Sequence, residues 1–318
     1  MPTVLITGGA GYLGQPLSHL LLKLGYDVVC VDNLFHRQET AFLCRLASDS
    51  KYRFHNVDLM DVTAIDQYLR GVDFVIHLAA IVGYQACDRY KEQARVVNLE
   101  LTKRIVDRLH SDQRLIYPTT NSGYGTTDGS IKCTEETPLN PISLYGETKA
   151  KAEKYIRENL PSNGICFRLA TVFGTSSRPR TDLLVNNFVW KAYKDRYNVI
   201  FDGKAMRNFV HINDVLRAFL WAMDMWDKVI AASYRNVVNF GNDSLNMSKL
   251  ELARTINKLV PHEIVEGNIG EDPDKRNYIV SSDRFMSTGF KCQESLDDGI
   301  LALVRQYQII DTPRFGNY

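Results

Sequence analysis

The first half of the chain alternates short apolar runs with longer amphipathic stretches. Residues 4–6, 28–31, 53–57, 74–78, 114–117 and 165–169 are short, β-branched or aromatic, and several end at Gly, Asp or Thr. That composition predicts strands. Between them, apolar residues at helical spacing over 15–24, 62–69, 94–109 and 144–158 predict helices. Strands and helices in strict alternation imply crossover connections and a buried parallel sheet. Such a sheet binds its ligands beyond the carboxyl ends of its strands. After about residue 174 the pattern turns irregular, with helices expected over 183–193, 214–225 and 247–259 and extended pieces over 198–201 and 236–240. The reading is an α/β chain: a Rossmann-type doubly wound parallel sheet from 1–174 plus about 206–240, a smaller C-terminal α/β substrate-binding domain from 175–205 and 241–310, and a loose tail at 311–318.

The chemistry sits where strands end. Gly8, Gly11 and Gly14 space a loop that follows the first strand and opens the first helix. Without side chains there, the backbone can approach a pyrophosphate, and the N–H groups at the helix start face it. Asp32 ends the second strand, 18 residues beyond Gly14. A carboxylate at that point accepts both hydroxyls of an adenosine ribose and repels the extra phosphate of NADP, which favours NAD. His36 and Arg37 follow closely, and Asp58-Leu59 end the third strand, where an adenine would lie. Tyr145 and Lys149 lie four apart at the start of a helix, hence on one face. A free phenol titrates near about 10, and an adjacent ammonium together with a positive nicotinamide ring is expected to lower it toward a working base. Lys149 can also hold the nicotinamide ribose, and Thr120, at another strand end, can bond the reacting sugar oxygen.

These motifs together resemble the extended short-chain dehydrogenase/reductase superfamily, in its NAD-dependent nucleotide-sugar epimerase/dehydratase branch. Its marks are the glycine loop at 8–14, Asp32-Asn33, Asp58-Leu59, His77-Leu78-Ala79-Ala80, the run from Thr119 to Gly125, Tyr145 with Lys149, and the run from Arg168 to Gly174. The resemblance implies a cofactor site of Gly8, Gly11, Tyr12, Leu13, Gly14, Asp32, Asn33, Asp58, Leu59, Leu78, Ala79 and Ala80 with Tyr145 and Lys149. It implies Thr120 as the catalytic hydroxyl and sugar-nucleotide contacts at Thr120, Asn121, Thr171, Asn186, Arg207 and Arg276. Two guanidinium groups suit a diphosphate. Asn98, His211 and Asp214 are read as structural. A homodimer through the segments 94–109 and 144–158 is a further implication.

Three departures from the branch narrow the reaction. Asn121-Ser122 stand where its dehydratases carry an Asp-Glu pair, which disfavours loss of water. Thr171 stands where many 4-epimerases carry Asn, and Ser122 where enzymes that epimerise beside the ketone often carry Cys. The reading is therefore an NAD-dependent nucleotide-sugar epimerase, with transient oxidation at C4 and the hydroxyl proton passing to Tyr145. A 4-dehydrogenase or 4-keto reductase is the alternative, with 4,6-dehydratase and non-sugar carbonyl reductase behind it. A binding protein without catalysis fits poorly with the joint presence of Thr120, Tyr145 and Lys149.

Composition adds exclusions. A net charge of +1 and no long single-sign run give no sign of nucleic acid or a membrane surface as partner. The six cysteines lack Cys-x-x-Cys spacing and read as reduced core residues, with no metal site. The chain opens at once on a strand-like run and has no apolar stretch of membrane-spanning length. The expectation is a cytoplasmic enzyme.

Overall fold

The structure is a computed structural model that describes residues 1–36, 40–61, 64–127, 132–267, 276–310 and 316–317. Seven strands form the main sheet: β1 (Thr3–Thr7), β2 (Asp27–Asp32), β3 (Tyr52–Asn56), β4 (Phe74–His77), β5 (Arg114–Thr120), β6 (Gly164–Leu169) and β7 (Val237–Phe240). All pairs are parallel, in the order β7-β6-β5-β4-β1-β2-β3. The chain runs outward from β1 to β3 and then returns to place β4 on the other side of β1. That reversal opens a crevice at the carboxyl ends of β1 and β4, where ligands of such sheets bind.

Strand alternation divides the apolar residues cleanly. Val4, Ile6, Val28, Cys30, Ile76, Ile116, Ile165 and Phe167 face one side. They pack against Leu17 and Leu21 of α1 (Gly14–Lys23) and against Val215 and Phe219 of a later helix, Ile212–Asp224. Leu5, Val29, Val31, Val75, Leu115, Tyr117 and Cys166 face the other. Their partners are Ile105 of α2 (Leu101–Val106) and Ala152 and Ile156 of α3 (Leu144–Asn159). Burial of each such side chain contributes roughly 1.5–3 kcal/mol, enough to fix strand register by the pattern alone. A third core gathers Phe173, Val189, Phe209, Ile256 and Leu303 from the strand Thr171–Phe173, α4 (Leu184–Trp190), the strand Met206–His211, and the helices Lys249–Leu259 and Leu296–Tyr307.

Three features differ from the pattern reading. The helix expected over 94–109 contains a wider π turn at Val96–Glu100 and stops at Val106. Asn98, inside that turn, accepts from Ile81 N at 2.8 Å, donates to Ile81 O at 2.9 Å and reaches Thr148 Oγ1 at 3.3 Å. The extra residue of the turn lets one buried amide hold both the segment after β4 and the helix carrying Tyr145. The extended piece expected over 236–240, placed with the sheet domain, is found there: Val237–Phe240 completes the main sheet as β7. Met206–His211 instead joins a separate three-stranded sheet with Thr171–Phe173 and Asn242–Ser248. In the tail, Asn317 is buried and donates to Val82 O at 3.3 Å, so this residue is docked rather than loose. The expected starting residue of the 62–69 helix, Arg37, and tail residues 311–315 and 318 lie outside the described residues.

Candidate active site

The glycine loop owes its path to close approaches. Gly8 takes φ +70°, and a Cβ there would lie 2.6 Å from Ala79 N. A Cβ on Gly14 would lie 2.5 Å from Gly9 Cα, so only glycine lets α1 start so near the loop. Leu13 caps α1 without a side-chain hydrogen bond; Gln15 N donates to Gly11 O at 3.2 Å, Pro16 carries no N–H, and Gly14 at the helix start lines the crevice. Asp32, at the end of β2, accepts from Ala10 N at 3.0 Å and Leu34 N at 2.7 Å. Burial pushes its carboxyl up, opposed by those two N–H groups and by Arg178. Asn33 donates to Asp58 Oδ2 at 3.3 Å, which joins the ends of β2 and β3.

β4 is held to β1 by a buried imidazole. His77 Nδ1 lies 2.6 Å from Thr7 Oγ1 and Nε2 3.1 Å from Thr102 Oγ1. Burial, reinforced by Lys149, lowers its pKa to about 3, so the ring stays neutral. Thr7 Oγ1 also accepts from Ala79 N at 3.3 Å. Thr120 ends β5, and its hydroxyl accepts from Ser122 N at 3.1 Å while donating to Ser122 Oγ at 2.9 Å. Ser143 caps α3 by accepting from Gly146 N at 3.2 Å, which sets Tyr145 in the first turn.

All of these meet in one cavity of about 460 Å³ at the carboxyl edge of the sheet. Every expected cofactor contact lines it: Gly8, Gly11, Tyr12, Leu13, Gly14, Asp32, Asn33, Asp58, Leu59, Leu78, Ala79, Ala80, Tyr145 and Lys149. Thr120, Thr171, Ser122 and Arg276 line the same space. Three expected substrate contacts are placed differently. Asn186 is buried with its amide on backbone, accepting from Gly174 N at 3.1 Å and donating to Arg180 O at 2.9 Å. Arg207 is buried, donating to Met206 O at 3.0 Å and to Arg276 O. It stands behind Arg276, while the guanidinium of Arg276 reaches Ser122 Oγ. Asn121 is buried, and neither atom of its amide has a hydrogen-bond partner. His211 and Asp214 serve the scaffold: His211 Nδ1 accepts from Asn213 N at 3.2 Å, and Asp214 accepts from Gln293 N at 2.9 Å and Glu294 N at 3.2 Å.

The ionisation of the central pair departs from expectation. Burial pushes Tyr145 up to about 12, with Arg180, Arg276 and the Thr120 hydroxyl pulling the other way. Burial lowers Lys149 to about 7, and its ammonium lies 3.7 Å from the centre of the Tyr117 ring. The lysine is therefore easily neutral in the ligand-free site and does not by itself make a phenolate of Tyr145. The cations that oppose burial at Tyr145 come from elsewhere.

One of them, Arg180, was not legible as a site residue. It is buried in the cavity wall and pairs with both oxygens of Asp182, at 2.7 and 2.5 Å. Arg178, two residues earlier, lines the same wall. The signal in the sequence was the short basic stretch Ser177-Arg178-Pro179-Arg180, too short to mark a polyanion tract and given no site role without the fold to turn it inward. Among the described residues no group of His, Cys, Asp and Glu could hold a metal ion, and no helix is long and apolar enough to cross a membrane.

The model of the NAD dependent epimerase/dehydratase family matches residues 4–238. The chain is 30% identical to an uncharacterized UDP-glucose epimerase of Bacillus subtilis, over 67% of this chain and 70% of that one. A UDP-glucose 4-epimerase of Thermotoga maritima, solved with UDP-glucose, superposes with a TM-score of 0.83 at 22% identity, covering 96% of this chain and 99% of that one. A UDP-glucuronic acid 4-epimerase of Bacillus cereus, in complex with UDP-glucuronic acid and NAD, gives a TM-score of 0.78 at 24% identity over 96% and 99%.

Proposed function

Because the chain belongs to the NAD dependent epimerase/dehydratase family, we propose that it is an NAD-dependent nucleotide-sugar 4-epimerase. The observation that carries the reading is the convergence of Thr120, Tyr145 and Lys149 on one cavity with the glycine loop and Asp32. The loop fits a dinucleotide, because its glycines sit where a Cβ would strike backbone and Asp32 stands at the ribose position. When bound, NAD supplies the hydride acceptor that turns an alcohol carbon into a ketone and back.

The rest of the chemistry belongs to the chain. Tyr145 takes the proton of the sugar C4 hydroxyl and returns it, and Thr120, which bonds Tyr145, orients the reacting oxygen. Arg180 and Arg276 favour the phenolate that does this work. Asn121-Ser122 give no acid–base pair to expel water after Thr120, which favours epimerisation over dehydration. A dehydrogenase or reductase would use the same groups and differ in releasing the ketone. The relatives named above point to UDP-hexoses and UDP-uronic acids as the first substrates to try. The reading includes a cytoplasmic homodimer that pairs through the segments 94–109 and 144–158, serving polysaccharide precursor synthesis.

The test is incubation with UDP-, dTDP-, GDP- and CDP-sugars, following NADH absorbance and product mass together. An isomer of unchanged mass without lasting NADH supports the epimerase. NADH accumulating with a product two hydrogens lighter establishes a dehydrogenase instead, and loss of a water mass establishes a dehydratase.

A further inference from the structure

The segment after Gly174 crosses from the sheet toward the third core along one wall of the cavity. Two hydrogen bonds tie it to the glycine loop: Tyr12 Oη donates to Gly174 O at 2.8 Å, and Ser176 Oγ donates to Tyr12 O at 2.8 Å. Asn186 holds both ends of the same segment through Gly174 and Arg180. The segment therefore has a fixed position against the part of the chain that faces a pyrophosphate.

Arg178 lies two residues past the Ser176 tie, and its N–H donates to Ser176 Oγ at 3.3 Å. The residue is only 6% exposed, yet it lines the cavity. Its neighbour Arg180 is neutralised by Asp182, whereas among the described residues the guanidinium of Arg178 makes no ion pair. Asp32 and His36 are the groups whose charge it influences on the β2 side. Asp32 is already engaged by two backbone N–H groups. Asp182 and Asp32 favour its charge from a distance, but a desolvated guanidinium with no carboxylate in contact is costly, and a ligand anion would complete it. Between Asp32 and the glycine loop that anion is a diphosphate.

Resting on the cofactor reading above, we propose that Arg178 binds the diphosphate of the dinucleotide from the segment that leads toward the third core. It lines the same cavity as the glycine loop, so the two together grip the cofactor. Arg178 is a binding residue and takes no part in proton movement.

The experiment is calorimetric titration of the full-length protein and its R178M and R178K variants with NAD, ADP, NADP and adenosine at two salt concentrations. The expected result is that R178M weakens NAD and ADP by the same factor, about ten- to a hundredfold as for a lost hydrogen bond to a charged group, and leaves adenosine unchanged. Arg178→Lys retains part of the affinity, and the salt dependence of ADP binding flattens in R178M. Unchanged NAD and ADP affinity in R178M overturns the proposal. So does an equal loss for adenosine, which would make Arg178 a support of the wall. If only NADP is weakened, Arg178 reads a 2′-phosphate and the proposal falls. Should the unaltered protein bind neither NAD nor ADP, the cofactor reading itself fails, and the proposal with it.

Discussion

Lys149 gives a prediction whose size follows from its burial. A lysine in the unfolded chain titrates near ~10.4, and in the folded, ligand-free protein burial holds this one at about 7. One pKa unit corresponds to about 1.36 kcal/mol, so burying the ammonium costs on the order of 4 to 5 kcal/mol at low pH. Because the folded pKa lies below the unfolded one, the unfolded chain holds a proton that the folded chain lacks between roughly pH 7 and pH 10. Stability should rise with pH across that window and level off on either side. From pH 7 to pH 9 the gain is about 2 kcal/mol. For 318 residues with an unfolding entropy of ~2.1 cal/mol/K per residue, that gain is about 3 °C in Tm. The assay is thermal unfolding of the ligand-free protein and of Lys149→Met at pH 7, 8 and 9, with the difference between the two taken at each pH. Tyr145 titrates above this range in both folded and unfolded chains, and buried His77 stays neutral throughout it. The inactive Lys149→Met variant should be the more stable protein at pH 7, and its advantage should shrink by pH 9. A difference that stays constant to within about 1 °C over the window would refute the reasoning.

Three further outcomes follow from the geometry. Tyr145→Phe should lower turnover by about a hundred- to ten-thousandfold while sugar-nucleotide affinity, measured by calorimetry, stays within a few-fold, since only the proton carrier is lost. Gly14→Ala should abolish NAD binding and lower Tm, because the added methyl falls 2.5 Å from Gly9 Cα, a backbone atom that cannot move aside; calorimetry alongside a melt checks both. Glu153→Gln should destabilise by about 3–5 kcal/mol in a denaturant titration. It would leave Arg168, now paired at 2.6 and 3.0 Å in the core, with an uncompensated charge.

The main sheet was legible because both faces of its strands are buried, so strand after strand reads as a short apolar run. β7 was legible too, as the extended piece over 236–240, although Asn239 interrupts its apolar run; that side chain accepts from Tyr124 Oη at 2.6 Å and donates to Ser281 O at 3.0 Å. The π turn at Val96–Glu100 was invisible: its cause is Asn98 reaching Ile81, a tertiary contact that helical spacing does not encode. Within the site, residues that sit at strand ends were found, since sheet topology fixes where those ends lie. Arg178 and Arg180 were not, because a loop's direction depends on Tyr12, Ser176 and Asn186 acting over long sequence separations. Tyr145 and Lys149 were located by spacing, but their protonation was not, since burial rather than proximity dominates it.

The late arrival of β7 bears on how the protein is made. β6 ends at Leu169, and its partner begins only at Val237, after the strand and helix of 206–224 have intervened. While a ribosome is still delivering those residues, the nascent sheet has a bare flank at Cys166, Phe167 and Arg168, whose backbone has nothing to pair with on that side. An open, apolar strand edge is a template for another chain. A chain released at residue 174 would carry the whole glycine loop, Tyr145 and Lys149, and still present that sticky flank. The sheet and the third core are thus joined by more than a linker: the sheet needs a strand that the chain supplies only after it has begun the third core.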